Sequence, residues 1–340
     1  MSAADMTPRV TVLMPVYNGE EHLREAIESI LGQTYRDFEF LIIDDGSTDR
    51  SAEVIGAYRD PRIRLVQNET NLGLIATLNR GLALSTGEFI CRMDQDDISL
   101  PERITRQVTF MESHPEIAVC GAWFRKFGAG RSKVVRWQTD PDGIRCGLLF
   151  DAMVGHPTVM LRRDFLRKFD LQYDPAYKNA EDFALWVRVA EHGDLANLDE
   201  VLLNYRVHPA QITQSASVGQ RETAGTIRLA QLLKMGIDPS PAEFAIHQAV
   251  STCVCTGVDN LFAQAEEWLC RLKDVNDRTR IYPEAVFSRL LIERWLTFCK
   301  KAMEQGQWSI RMVYFPKLSA KTGLGYGYVM RSLVQHMRSG

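Results

Sequence analysis

Through residue 113 the sequence alternates short apolar runs with stretches whose apolar side chains recur every three or four positions, and this alternation constrains the fold more than any other feature. Val10 to Val16 is a β-branched, apolar run closed by Pro15, Tyr17, Asn18 and Gly19. Leu23, Ala26, Ile27, Ile30 and Leu31 then fall on one helical face, with Glu20 and Glu21 placed in its first turn, where the helix dipole favours negative charge. Phe38 to Ile43, Ile63 to Val66 and Glu88 to Met93 predict three more strands, and Leu72 to Leu84 a helix opened by Asn71. Strands this continuously apolar are covered on both faces, so the expected class is α/β, with a mainly parallel sheet flanked by helices. Ser99-Leu100-Pro101-Glu102 reads as a capping box for a helix that buries Ile104, Val108 and Met111, and Ile117 to Phe124 and Val201 to Val207 as further strands. Beyond Ser215 strand signals stop. Leu229, Leu232, Leu233, Val286, Phe287, Leu290, Leu291, Trp295 and Phe298 recur at helical spacing, which predicts an α-helical appendage. The expected division is a domain over 9–215 and a helical region over 216–340.

Two strands end in acid. The second runs into Asp44-Asp45-Gly46-Ser47-Thr48-Asp49, where Ser47, Thr48 and Asp49 suit the start of a helix over Ala52 to Tyr58. Asp45 lies at the carboxyl edge of a strand, where ligands bind in open α/β sheets, and can accept from a base N–H or a ribose hydroxyl. The fourth strand runs into Asp94-Gln95-Asp96-Asp97. On an extended strand end Asp94 and Asp96 point the same way and can offer oxygens to one hard divalent cation, magnesium or manganese. No Gly-x-Gly-x-x-Gly follows the first strand and no Gly-x-x-x-x-Gly-Lys-Ser/Thr occurs, so a glycine cradle for phosphates is missing and a metal-bridged diphosphate takes its place.

With 340 residues, 24% charged and a formal net charge of -3, nothing global points to nucleic acid or to disorder. Seven cysteines are scattered through apolar stretches, as buried free thiols are, which predicts a reducing compartment and neither a zinc site nor a disulfide framework. The N-terminus lacks signal architecture and no apolar run reaches the ~18 residues a bilayer span needs, so the expected location is cytoplasmic.

The order of motifs resembles the family 2 glycosyltransferases: Pro15-Val16-Tyr17-Asn18, Asp44 to Asp49, Asn71-Leu72-Gly73, Met93 to Asp97 with Pro101-Glu102-Arg103, His156 to Met160, Glu181 to Trp186, and Tyr205-Arg206-Val207-His208. The resemblance spans roughly 9–213 and implies the GT-A fold, Rossmann-like, with an inverting transfer of sugar from a nucleoside diphosphate sugar, most often a UDP-sugar, to an acceptor hydroxyl. By position it implies that Pro15, Tyr17 and Asn18 border the nucleoside, that Asp45 accepts from the base, and that Asp94 and Asp96 touch ribose and metal. It further implies His208 as a third metal ligand and Asp182 as the general base near a helix N-terminus. Gln95 stands where family members commonly carry Ala, on the donor side, with its amide facing the sugar or solvent. Arg103 and Arg206 suit either phosphate or structural pairing, and His156 the acceptor side or the core. Rival readings are a sugar nucleotidyltransferase, against which the missing Gly-rich loop speaks, and a non-catalytic nucleotide-sugar-binding scaffold, against which the intact acidic set speaks.

Processive members of the family carry Gln-x-x-Arg-Trp and membrane helices. Arg294-Trp295 lacks the Gln, which favours single additions. After Glu304 there is no acid, while Arg311, Lys317, Lys321, Arg331 and Arg338 are interleaved with Trp308, Tyr314, Phe315, Tyr326 and Tyr328. This tail suits peripheral contact with an anionic membrane and a glycan or lipid-linked acceptor; coverage of the helical appendage accounts for it equally well.

Overall fold

The computed structural model describes residues 7–208, 217–254, 260–307 and 315–324. Contacts divide the chain into two compact units, one of residues 1–141 and 153–223, the other of residues 142–152 and 224–340.

In the first unit, β1 (Val10–Val16), β2 (Phe38–Asp44), β3 (Ile63–Gln67) and β4 (Phe89–Arg92) are joined through α1 (Leu23–Leu31), α2 (Ser51–Gly56) and α3 (Leu74–Leu84). β5 (Ile98–Ser99), α4 (Arg103–Ser113), β6 (Ile117–Gly128), β7 (Lys133–Val135), β8 (Met160–Arg162), α6 (Arg163–Lys168), α7 (Glu181–Val189) and β9 (Asp194–Val207) follow; α5 (Pro141–Gly147), between β7 and β8 in sequence, belongs to the second unit from residue 142 on. The sheet has nine strands in the order β3-β2-β1-β4-β8-β6-β9-β5, with β7 paired to β6. Pairing is parallel from β3 to β4, antiparallel around β8 and parallel again between β6 and β9. All seven residues of β1 are buried, as a central strand under helices requires. Leu23, Ala26, Ile27 and Ile30 of α1 are fully covered, each large apolar side chain contributing about 1.5–3 kcal/mol.

The helix starts depart from the sequence expectation. Glu20 and Glu21 precede α1, which begins at Leu23, and the Glu20 carboxylate instead accepts from the Arg50 amide at 2.9 Å. Asn71 does not cap α3, which starts at Leu74 behind Gly73. The capping box at Ser99 is also absent, because Ser99 lies in β5 and pairs opposite Leu203; Gln33 Oε1 accepts from the Ile104 amide in its place. At α4 a side chain distant in sequence takes the place of the local cap, while α1 and α3 start without a side-chain cap.

The second unit packs Leu149 and Phe150 with helices Ser217–Lys234, Pro241–Thr252, Leu261–Thr279 and Glu284–Glu304, around Trp268, Phe287 and Trp295. A Ser240–Glu243 capping box opens the second of these helices. Phe315 is buried in the same core, and Lys317 and Lys321 pair with Glu267 and Asp274. The other tail cations and aromatics lie outside the described residues, as does Cys255. The six described cysteines are free thiols, and among the described residues no helix is long and apolar enough to cross a membrane.

Candidate active site

Every candidate on β1, β2 and β4 sits at the carboxyl end of its strand. After Arg92 the chain leaves β4 and Gln95-Asp96 form a turn, so the loop is not extended as expected. The turn brings Asp97 back beside Asp94 and Asp96, and one oxygen from each lies within 4.8 Å of the others. Strict alternation places Asp97 on the opposite side, which is why sequence reasoning left it out. Asp97 is fully buried. Its Oδ1 accepts from the Arg206 amide at 2.8 Å, while its buried Oδ2 receives no hydrogen bond among the described residues. Burial, then the neighbouring carboxylates, push its pKa well above the usual carboxylate range, and Asp94 is raised mainly by burial despite a two-pronged pairing with Arg92. Asp96 Oδ2 lies 2.9 Å from His208 Nε2, and the His208 ring meets His22 edge-on with centroids 5.0 Å apart.

Hard oxygen donors, an oxygen without a partner and mutual repulsion together fit a divalent cation such as Mg2+ or Mn2+. Binding one would satisfy the buried oxygen and offset the crowded charge.

Around this cluster the strand-end loops are tied to one another by side chains that grip main chain. Gln95 Oε1 accepts from the Tyr17 amide at 2.8 Å, and its Nε2 donates to the Tyr17 carbonyl at 3.1 Å. The amide is therefore committed to the β1 loop, which corrects the expectation that it faces sugar or solvent. A Cβ on Gly19 would lie 2.6 Å from that amide group. Asn18, in the left-handed region at φ 47, accepts from the Thr48 amide at 2.8 Å and donates its own amide to Ser47 Oγ. Asp45 is 3% exposed; its Oδ1 accepts from Asn68 and from the Leu72 amide, and its Oδ2 from the Gly73 amide at 2.9 Å. Gly46, at φ 70, permits this approach, since a Cβ there would meet the Thr70 backbone at 2.7 Å. Pro15 is buried opposite Ile43, past the point where β4 stops pairing with β1, so its missing N–H costs no ladder bond on that side. The Tyr17 ring remains 44% exposed at the rim.

Asp182 is the second residue of α7 and half-buried, and its Oδ1 accepts from the Phe183 amide at 2.7 Å. Glu181 is more deeply buried and its pKa is raised by that burial. Tyr173 links this helix to the acidic loop: its phenol lies within electrostatic reach of Arg92, Asp182, Glu181 and Asp94, and its hydroxyl is 2.8 Å from His156 Nε2. Burial, then the charge of Arg92, depress the His156 pKa strongly, so the imidazole is neutral. Arg92 and Tyr173 were not singled out from the sequence; a lone charge inside the apolar run Phe89 to Met93 was the available signal for Arg92. Arg103 is fully buried and spends its guanidinium on Arg92 O, Gln107 and Met93, which settles it as structural. Arg206 grips Asp96 O at 2.8 Å and Glu25 at 3.0 Å.

The sequence profile of glycosyl transferase family 2 matches residues 11–173. The glycosyltransferase EpsE of Bacillus subtilis is 37% identical over 207 residues, 58% of this chain and 73% of that one. The chain belongs to glycosyltransferase family 2. AmsE of Erwinia amylovora, a glycosyltransferase of amylovoran biosynthesis, is 33% identical over 202 residues, 58% of this glycosyltransferase and 75% of its own length. Among solved structures, Staphylococcus aureus TarS superposes with a TM-score of 0.58 at 20% identity, covering 88% of this chain and 93% of that one. The shared GT-A fold is what that likeness shows.

Proposed function

We propose that this glycosyltransferase is metal-dependent and inverting, and adds one sugar per encounter from a nucleoside diphosphate sugar to an acceptor hydroxyl. The donor is taken to be a UDP-sugar and the acceptor a polysaccharide or lipid-linked glycan under assembly. The observation that carries this reading is the donorless Asp97 oxygen beside Asp94 and Asp96, at the strand edge where the tied loops present Tyr17. Support for the donor comes from TarS, whose structure is a complex with UDP-GlcNAc, and for the pathway class from the name of AmsE.

In this reading Tyr17, Asn18 and Pro15 border the nucleoside. Asp45 Oδ2, which accepts one hydrogen bond, has a position left for a base N–H. Asp94, Asp96 and His208, joined by Asp97, would hold Mn2+ or Mg2+, which when bound would stabilise charge on the departing diphosphate. Asp182 takes the acceptor's proton as the acceptor oxygen bonds to the anomeric carbon. The bond from that carbon to the diphosphate breaks on the opposite face, the electron pair leaves with the diphosphate, and the configuration inverts. Residues 9–215 form the transferase domain in this proposal, and residues 216–340 serve acceptor or membrane positioning on the cytoplasmic side.

The test is release of nucleoside diphosphate from a panel of nucleotide sugars with Mn2+, Mg2+ or EDTA and no acceptor. One donor should turn over in a metal-dependent way. Asp96→Ala should abolish release, and Asp182→Asn should slow it by about 100-fold or more while still binding the nucleotide. Full activity in EDTA, or in Asp182→Asn, would refute the assignment. For the tail, co-sedimentation of the full chain with anionic but not with neutral vesicles is the expected result; equal pelleting removes the membrane contact.

A further inference from the structure

β6 and β7 form a hairpin whose charge the donor site does not explain. Between Glu116 and Asp140 the chain holds Arg125, Lys126, Arg131, Lys133 and Arg136 and no acid. All five are exposed, and among the described residues no carboxylate pairs with any of them. Lys126 and Lys133 stand directly opposite each other across the strand pair, an arrangement that repels and that an isolated hairpin would avoid. Desolvation of its ammonium, and then Lys133, lower the Lys126 pKa, so the pair already bears an electrostatic cost. Lys126 also lies over the Tyr205 ring and Arg136 over Trp123, which fixes both cations without neutralising them.

The hairpin adjoins the acidic loop through β9. Phe127 is opposite Arg206 and Gly128 opposite Val207, while the Arg206 amide donates to Asp97 and His208 meets Asp96. The strands are joined by Ala129-Gly130-Arg131-Ser132, and the Phe127 ring beside this turn is covered by the Arg206 guanidinium at 4.6 Å. A hairpin that docks in a bilayer needs a large apolar side chain at its tip to bury, and this tip offers only Ala129. Cations on both faces of a narrow ribbon, with no apolar anchor, suit a chain bearing several negative charges.

We propose that the β6–β7 hairpin binds a phosphate-bearing acceptor and leads it to the transfer site, with Lys126 and Lys133 sharing one phosphate group between them. That the ligand is the acceptor rests on the proposed transferase reading; that it is a polyanion rests on the hairpin alone.

The experiment measures binding of fluorescently labelled inorganic polyphosphate to the full chain by anisotropy, at low and high ionic strength. Lys126→Gln/Lys133→Gln is compared with Arg167→Gln/Lys168→Gln, which removes the same charge from an exposed part of α6. The first pair should weaken binding by about tenfold and the second should leave it nearly unchanged. Lys126→Arg/Lys133→Arg should restore it. Equal losses in the two glutamine variants would mean that net charge alone attracts polyphosphate, and would overturn the proposal. So would binding to phosphatidylglycerol vesicles without binding to polyphosphate. Acceptor-free release of nucleoside diphosphate should be unaltered in Lys126→Gln/Lys133→Gln, and a fall would assign the hairpin to the donor instead. Failure of donor turnover in the wild-type chain would remove the transferase reading while leaving the polyphosphate result to stand or fall by itself.

Discussion

A buried carboxylate oxygen without a hydrogen bond lowers stability unless a ligand uses it, and Asp97 holds one at the centre of the candidate site. Asp97→Asn removes charge and keeps shape. Its metal-free melting temperature should rise by about a few degrees, while the increase that Mn2+ produces in the wild type should shrink. A lowered melting temperature with an intact Mn2+ response would mean that Asp97 serves only to anchor Arg206. Gln95 acts on the same loop by grip alone. Gln95→Ala deletes two hydrogen bonds to the Tyr17 backbone and should cost about 1–2 kcal/mol in chemical denaturation, with weaker nucleoside diphosphate binding by calorimetry. The placement of Asp94 and Asp96 after a strand end and of Asp182 in the first turn of a helix was legible in the sequence, because the apolar residues beside them mark those elements. Asp97, Arg92 and the Gln95 clasp were not, since a two-residue turn resets which side chains converge and no periodicity encodes that turn.

At the level of elements, β1 to β4 and α1 were readable because their apolar periods survive burial. Helix starts were less so, for at α4 Gln33 supplies from afar what a local cap supplies elsewhere. In the helical unit His247 makes a prediction of its own. Trp268 Nε1 donates to its Nδ1 at 3.1 Å and its Nε2 lies 3.1 Å from Leu149 O, an arrangement that requires the neutral ring. Burial is the main cause that brings its pKa down to about 3. The unfolded chain binds the proton near pH 6.5, so the stabilisation is complete above that value. Stability should then decline by about 1.4 kcal/mol per pH unit as pH falls below 6.5 toward 3. Urea unfolding followed by Trp fluorescence at pH 7 and pH 5 checks this, and His247→Gln should flatten the slope.

For the molecule as a whole, similarity thins along the chain. The family profile ends at residue 173, and of the helical unit only residues 142–152 fall within it. Sequence located that unit by its helical spacing and left its use undefined, because apolar stripes that build a core say nothing about a ligand. It also hid the fact that Leu149 and Phe150, from the middle of the transferase sequence, belong to the helical core. A chain ended at residue 215 would leave them without that core, so it should express as aggregate or bind an exposed-surface dye. A monomeric, cooperatively melting 1–215 fragment would contradict this.

The ties between strand ends have a consequence for how such an enzyme can change over time. Gln95, Asp45 and Asn18 hold amides and carbonyls of the residues opposite, and Leu72, clasped by its amide, leaves 56% of its surface exposed. Any amino acid but proline offers that amide. Rim positions such as Leu72 can therefore be replaced freely without loosening the frame, so a lineage can explore new donors and acceptors by drift at the rim while the scaffold that positions the chemistry is inherited intact.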